Sequence, residues 1–293
     1  MFLSGFTFIK NGLTLGYPIL ESVLSIEPIC DEIIINVGFE DPECTKDDGT
    51  YSYLRDSLIG KKYKFLKSWW DPSLRRDGLI LSQQTNIALK ECKGKFCQYI
   101  QGDEVIHEDD LEVILNGLKE MNLNPHIMGL VFNYIHFYGN VDVYKYTRNV
   151  YRREVRTIRN HQGIQSYKDA QGFKDRNLDK LLCKKIDARI LHYGWARKEQ
   201  VMSVKIDAFE KLYHQEDKAS ANFKYRREWG MRPYEGTHPK VLMKWIEENK
   251  NPIDVLSLKT HYSFNSIGLM ICDFIESLTG YRIGEYKPYK LLK

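Results

Sequence analysis

The residues best suited to chemistry in this chain are acids and histidines at the ends of apolar runs. Residues 96–108 read FCQYIQGDEVIHE: an apolar β-rich run, then Gly102, then the adjacent acids Asp103 and Glu104, and then the start of a helical pattern. Carboxylates at the carboxyl end of a parallel strand lie where open α/β sheets bind their ligands. Hard oxygen ligands there suit Mn2+ or Mg2+ bridging a diphosphate. The plainer role for the same pair is to begin the next helix, where acids offset the macrodipole. His192 ends another apolar run, just before Tyr193, Gly194 and Trp195, and His136 and His107 are weaker candidates of the same kind. An imidazole nitrogen suits Mn2+ better than Mg2+. Asp169 lies in residues 166–173, SYKDAQGF, whose polar groups, glycine and aromatics have the composition of a working loop. A carboxylate in such a loop can take a proton from an attacking hydroxyl; its structural alternative is an Asx-turn.

The elements that must position these residues follow from the apolar spacing. Leu3–Ile9 reads as a buried strand, residues 17–28 as a helix through Ile19, Leu20, Val23, Leu24 and Ile26, and residues 32–37 as a second strand. A strand, a helix and a strand in succession imply parallel pairing. The pattern repeats with a helix near 51–58, a strand near 63–66, a helix near 79–91 and a strand at 96–101. That order predicts a doubly wound sheet. After a helix near 108–121, strands are expected at 127–138, 150–158 and 186–192, and because helices thin out there the sheet should turn mixed. From Glu199 the pattern is helical, through Met202, Ile206, Phe209 and Leu212, then Val241, Trp245 and Ile246, then residues 267–278 with Gly280 as the stop.

Composition narrows the class. The chain has 293 residues, 43% hydrophobic and 28% charged, with no Gly-, Ser- or Pro-dominated run, which is the make-up of a folded protein with a sizeable core. Its net charge of +4 is too mild to argue for nucleic acid, though it suits an anionic substrate or a membrane surface. Six cysteines without a CxxC pair read as free thiols in a reducing compartment. The N-terminal residues lack the basic segment of a signal peptide, and no stretch approaches the roughly 20 apolar residues of a membrane span. The expected address is cytoplasmic, with peripheral contact at the inner face of a membrane allowed.

Five stretches together resemble the family 2-like glycosyltransferases, nucleotide-sugar enzymes of the GT-A fold. They are SGFTFIKN at 4–11, YIQGDEVIH at 99–107, FNYIHFYG at 132–139, SYKDAQGF at 166–173 and HYGW at 192–195. The resemblance implies an α/β, Rossmann-like mixed sheet flanked by helices. It also implies a catalytic domain over residues 1–200, with nucleotide-sugar binding in its first half and the acceptor side in its second, and a helical extension over 201–293. In that family an Asp-x-Asp motif holds the metal through its last acid; here Gln101 stands at the first position and Asp103 at the second. The second metal contact it implies is His192. Thr7 and Asn11 are implied contacts to base and ribose, Glu40 follows the second strand, and Asp48 to Thr50 resembles the family's acidic loop after an insertion. Arg75 or Arg76, and Arg197 or Lys198, are candidates for the diphosphate, since charge-assisted bonds stabilise it; as single cations they read equally as solvated surface. Asp169 is the implied acceptor base of an inverting transfer.

The expected function is therefore glycosyl transfer from a nucleotide-diphosphate sugar to a glycan, a lipid-linked saccharide or another hydroxyl acceptor. The alternative is a non-catalytic nucleic-acid or glycan-binding protein. It rests on Lys145, Arg148, Arg152, Arg153, Arg156 and Arg159 interleaved with tyrosines, and on Lys224 to Arg227. A nucleotidyltransferase is disfavoured because no Gly-rich loop follows the first strand.

Overall fold

Alternation of side chains along each strand decides the layers. In the computed structural model, which describes residues 2–74, 77–213, 222–262 and 264–292, the elements run β1 (Leu3–Ile9), α1 (Ile19–Ile26), β2 (Glu32–Phe39), α2 (Thr50–Ser57), β3 (Tyr63–Trp69), α3 (Leu79–Lys90), β4 (Phe96–Tyr99), β5 (Glu104–Ile106), α4 (Leu111–Leu123), β6 (Gly129–Tyr138), β7 (Asn140–Lys145), β8 (Arg153–Arg159), β9 (Gln165–Ser166), β10 (Phe173–Lys174), β11 (Leu182–Trp195), α5 (Glu199–Tyr213), β12 (Met231–Pro233), α6 (Met243–Asn249), α7 (Phe264–Thr279) and β13 (Lys290–Leu291). Leu3 and Ile9 of β1, with Ile33, Ile35 and Val37 of β2, face one core shared with Ile19, Val23 and Ile26 of α1 and Ile114 and Leu118 of α4. Phe6 and Ile34 point the other way, onto Ala88 and Leu89 of α3. Both faces are covered, which is why these strands read as continuous apolar runs. Each fully buried Ile, Val or Leu contributes about 1.5–3 kcal/mol.

The first four long strands are parallel in the order β3-β2-β1-β4, as the repeated strand-helix pattern requires. The sheet then turns mixed, as expected. β8 runs antiparallel between β4 and the first half of β6, and β7 takes over the same edge of β6 from His136 to Tyr138. The other edge of β6 pairs parallel with β11, whose far side carries β5 antiparallel. The α-helix expected near 108 begins at Leu111, after a 3-10 turn at Glu108–Asp110. The region after residue 200 is mainly helical, and it also returns two short strands to the sheet: β12 pairs with β7 and β13 with β11. No helix among the described residues is long and apolar enough to cross a membrane.

Parallel pairing has one consequence for function. The chain leaves β1 at Asn11, β2 at Glu40 and β4 at Gln101 on the same edge of the sheet, the edge where such sheets bind ligands.

Candidate active site

A cleft of about 1030 Å3 opens on that edge, and Asn11, Gln101, Asp103, Asp169 and His192 all line it. Asp103 occupies the turn between β4 and β5. In register, His192 of β11 lies between Glu104 of β5 and His136 of β6, so the sheet itself delivers His192 to Asp103. Their Nε2 and Oδ2 atoms are 3.4 Å apart. Gly194 permits the approach, because a Cβ there would come within 2.6 Å of the His192 ring and 2.7 Å of Asp103 Oδ2.

The hydrogen bonds determine which nitrogen of His192 is available. His136 Nε2 lies 2.7 Å from the Tyr151 carbonyl, which can only accept, so that nitrogen carries a proton. Burial, with the neighbouring His192, pushes His136 down to about 3, leaving its Nδ1 bare. The 3.1 Å contact between the two Nδ1 atoms is then donated by His192, and His192 Nε2 is turned toward Asp103. Fixing a ligand's tautomer through its other ring nitrogen is how metal-binding histidines are usually held.

A cation shares this carboxylate. Lys205 of α5 is buried, with Nζ 3.3 Å from Asp103 Oδ2 and donating to the Gly194 carbonyl at 2.8 Å. Tyr17, Trp195 and Phe209 surround it with ring centroids at 5.2, 5.8 and 5.2 Å, within cation–π range. Burial, and then the nearby Arg197, outweigh the attraction of Asp103 and bring Lys205 down to about 7. Burial alone would raise Asp103, but His192 and Lys205 hold its carboxyl well below the usual range.

Two ligands at about 2.1 Å from one ion, subtending 90–110°, stand roughly 3.0–3.5 Å apart. Asp103 Oδ2 and His192 Nε2 meet that condition, and one oxygen with one nitrogen is a donor set that fits Mn2+. Among the described residues there is no cluster of three or more metal-ligating side chains.

Asp169 enters the cleft from the loop between β9 and β10. Its neighbours Lys168 and Ala170 both have left-handed backbone, φ 51° and 59°, an arrangement that costs of order 1–3 kcal/mol per residue and concentrates at functional sites. Anchors immediately after it hold it there. Ala170 is buried against Trp70, Ile80 and Leu81, Gln101 Nε2 donates to its carbonyl at 3.4 Å, and Arg156 Nη1 donates to the Gln171 carbonyl at 2.7 Å. Arg156 is itself fully buried in a two-pronged pair with Glu104, at 2.8 and 3.0 Å, to which Tyr134 adds a 2.7 Å bond. Glu104 thus supports the Asp169 loop through Arg156.

Other sequence candidates lie elsewhere. Thr7 is fully buried inside β1. Glu40 is outside the cleft lining; it pairs with Lys10 at 2.8 Å and accepts from Asn11 at 3.1 Å, two residues that do line it. Lys198 is exposed and reaches the Glu248 carbonyl at 3.4 Å, outside the cleft lining. Arg197 is buried and spent on the Leu15 and Gly194 carbonyls. Arg75 and Arg76 lie outside the described residues. Lys205 was not singled out by sequence reasoning, although its signal was present: a lysine within the apolar stripe of α5, one turn from Met202 and Phe209. Trp70, also unremarked, lines the cleft with an indole nitrogen that has no hydrogen-bond partner.

Glu154, buried beside this loop, carries a testable consequence. One oxygen accepts from Gln171 at 2.7 Å and the other has no hydrogen-bond partner. Burial, only partly opposed by Arg156, raises Glu154 from 4.5 to about 8. Between those values the folded state holds a proton that the unfolded state has lost, so stability falls as pH rises through that window. The penalty is absent below pH 4.5 and complete above about 8, with an upper bound of roughly 5 kcal/mol. Glu154→Gln should therefore lose less stability than the parent between pH 5 and 9 in thermal melts; parallel losses in both proteins would refute this source.

No protein-family model matches the chain, and no curated protein does. Among solved structures it is similar to S. aureus TarS residues 1–349 in complex with UDP, at 17% identity and a TM-score of 0.32, over 47% of this chain and 36% of that one. The same protein in complex with UDP-GlcNAc gives 17%, 0.32, 47% and 35%. The overlap thus spans about a third of those TarS chains.

Proposed function

We propose that the chain is a glycosyltransferase that moves a sugar from a nucleotide-diphosphate donor to a hydroxyl acceptor, with metal assistance and inversion at the anomeric carbon. The observation that carries this reading is the convergence of Asp103, His192 and Asp169 on one cleft at the carboxyl edge of the parallel strands. Asp103 and His192 would hold Mn2+ or Mg2+, which supplies neutralisation of the charge that develops on the diphosphate. Lys205 and Lys10, both lining the cleft, add positive potential for the same leaving group. Asp169 accepts the proton of the acceptor hydroxyl as its oxygen bonds to the anomeric carbon. The sugar–phosphate bond breaks, and the nucleoside diphosphate leaves with the electron pair.

The binding-protein alternative loses much of its basis, because the interleaved cations are largely turned inward. Arg156 and Arg159 are buried, Arg152 pairs with Glu276, and Lys145 pairs with Glu228. Incubation with a panel of nucleotide sugars plus simple saccharide acceptors, with and without Mn2+, should release nucleoside diphosphate from at least one donor, more with Mn2+. Tight calorimetric binding of a donor with no turnover across acceptors would favour the binding reading.

A further inference from the structure

α7 presents an apolar seam to solvent. Phe264, Ile267, Ile271, Phe274 and Leu278 are 96, 59, 55, 63 and 70% exposed, and Tyr281, just past the helix end, is 67% exposed. Their spacing alternates three and four, the a and d positions of a heptad; a strict two-position stripe of this kind is the narrow seam by which one helix packs on another. The rest of the helix leaves that seam uncharged. α7 contains no Lys or Arg, and its two acids are engaged inside the chain: Trp229 Nε1 donates to Asp273 at 2.9 Å, and Arg152 pairs with Glu276. A helix that lies on a membrane surface carries Lys and Arg along its polar face, which α7 lacks.

We propose that α7 is a dimerisation helix, pairing antiparallel with α7 of a second copy of this chain. The seam is complementary to itself. About a twofold axis passing between Cys272 and Asp273, Phe264 meets the copy's Tyr281, Ile267 meets Leu278, and Ile271 meets Phe274, each contact occurring twice as an isologous interface demands. The flanking Gly268 has open space where its Cβ would be, so a second backbone can approach. Scaled by their exposure, these six side chains bury about 600 Å2 on each copy, hence about 1,200 Å2 in the pair, at the lower bound of a stable specific interface. The inference is independent of the proposed activity.

The full chain should sediment as a species of twice 34.5 kDa at micromolar concentration, and Ile271→Lys and Phe274→Glu, each at an exposed position, should each sediment as monomers with unchanged circular dichroism spectra, their melting temperatures lower only by the stabilisation that association gives the parent. An equimolar mixture of the two variants should regain the dimer, because the antiparallel register sets the new Lys of one against the new Glu of the other. A parent that stays monomeric at 100 µM overturns the proposal, as does a dimer that survives both substitutions. Failure of the mixture to reassociate overturns the antiparallel register. Co-sedimentation of the monomeric parent with phosphatidylcholine–phosphatidylglycerol vesicles, lost in Ile271→Lys, would assign the seam to a membrane instead.

Discussion

Asp169→Asn is expected to retain donor binding and lose transfer roughly 100-fold or more, the usual scale for a general base. The amide keeps the shape of the side chain and removes only its capacity to accept a proton. The loop that carries it is tied just after Asp169 by Gln101 and Arg156 and packed through Ala170, so the substitution leaves the backbone geometry alone. The other acids near the strand end cannot take over. Glu104 is fully buried and committed to Arg156 and Tyr134, and Glu108 accepts from the Lys240 backbone amide at 3.2 Å on the far side of β5. Turnover should be measured at saturating donor and acceptor, with donor affinity measured separately. Near-normal transfer by folded Asp169→Asn would remove Asp169 from the base role, whereas a fall in donor affinity that matches the fall in turnover would make it a binding residue.

Asp103→Ala should weaken Mn2+-dependent donor binding by at least about 100-fold, because loss even of a group that only supports a metal ligand typically costs 10–100-fold. The carboxylate has two close polar neighbours, His192 Nε2 at 3.4 Å and Lys205 Nζ at 3.3 Å, and its removal leaves both facing a cavity. A melting curve must accompany the calorimetry to separate lost binding from lost structure. Lys205→Met discriminates between the two sources of positive charge at this carboxylate. If Mn2+ has no effect on the parent and Lys205→Met alone abolishes donor binding, the cationic role belongs to the lysine. If Asp103→Ala binds donor with Mn2+ as the parent does, the carboxylate is outside the metal position.

Much of the architecture was legible along the chain. The apolar runs at residues 3–9, 32–37 and 96–101 marked three of the parallel strands because strands covered on both faces keep no polar side. The change from alternating strand and helix to successive strands after residue 121 marked the turn to a mixed sheet. Asp103, His192 and Asp169 were legible as candidates because ionisable groups at strand ends and in polar loops stand out against apolar neighbours. What local pattern did not convey was companionship. Lys205 is about a hundred residues from Asp103, and its place in the helical stripe of α5 records only that it faces inward, not what it meets there. Likewise Glu104 sits next to Asp103 in sequence, yet alternation along β5 turns it away from the cleft, onto Arg156 of β8. The arginines of residues 145–159 read as a basic surface, but β8 lies between β4 and β6, so Arg156 is enclosed and Arg152 is captured by α7. Local spacing determined which residues share one face of a helix or strand, since that depends on helix and strand periods alone. Which charges meet was decided by the pairing of β11 with β5 and by α5 bringing Lys205 to the turn before β5, because pairing between distant elements depends on register and crossing geometry that no single segment encodes.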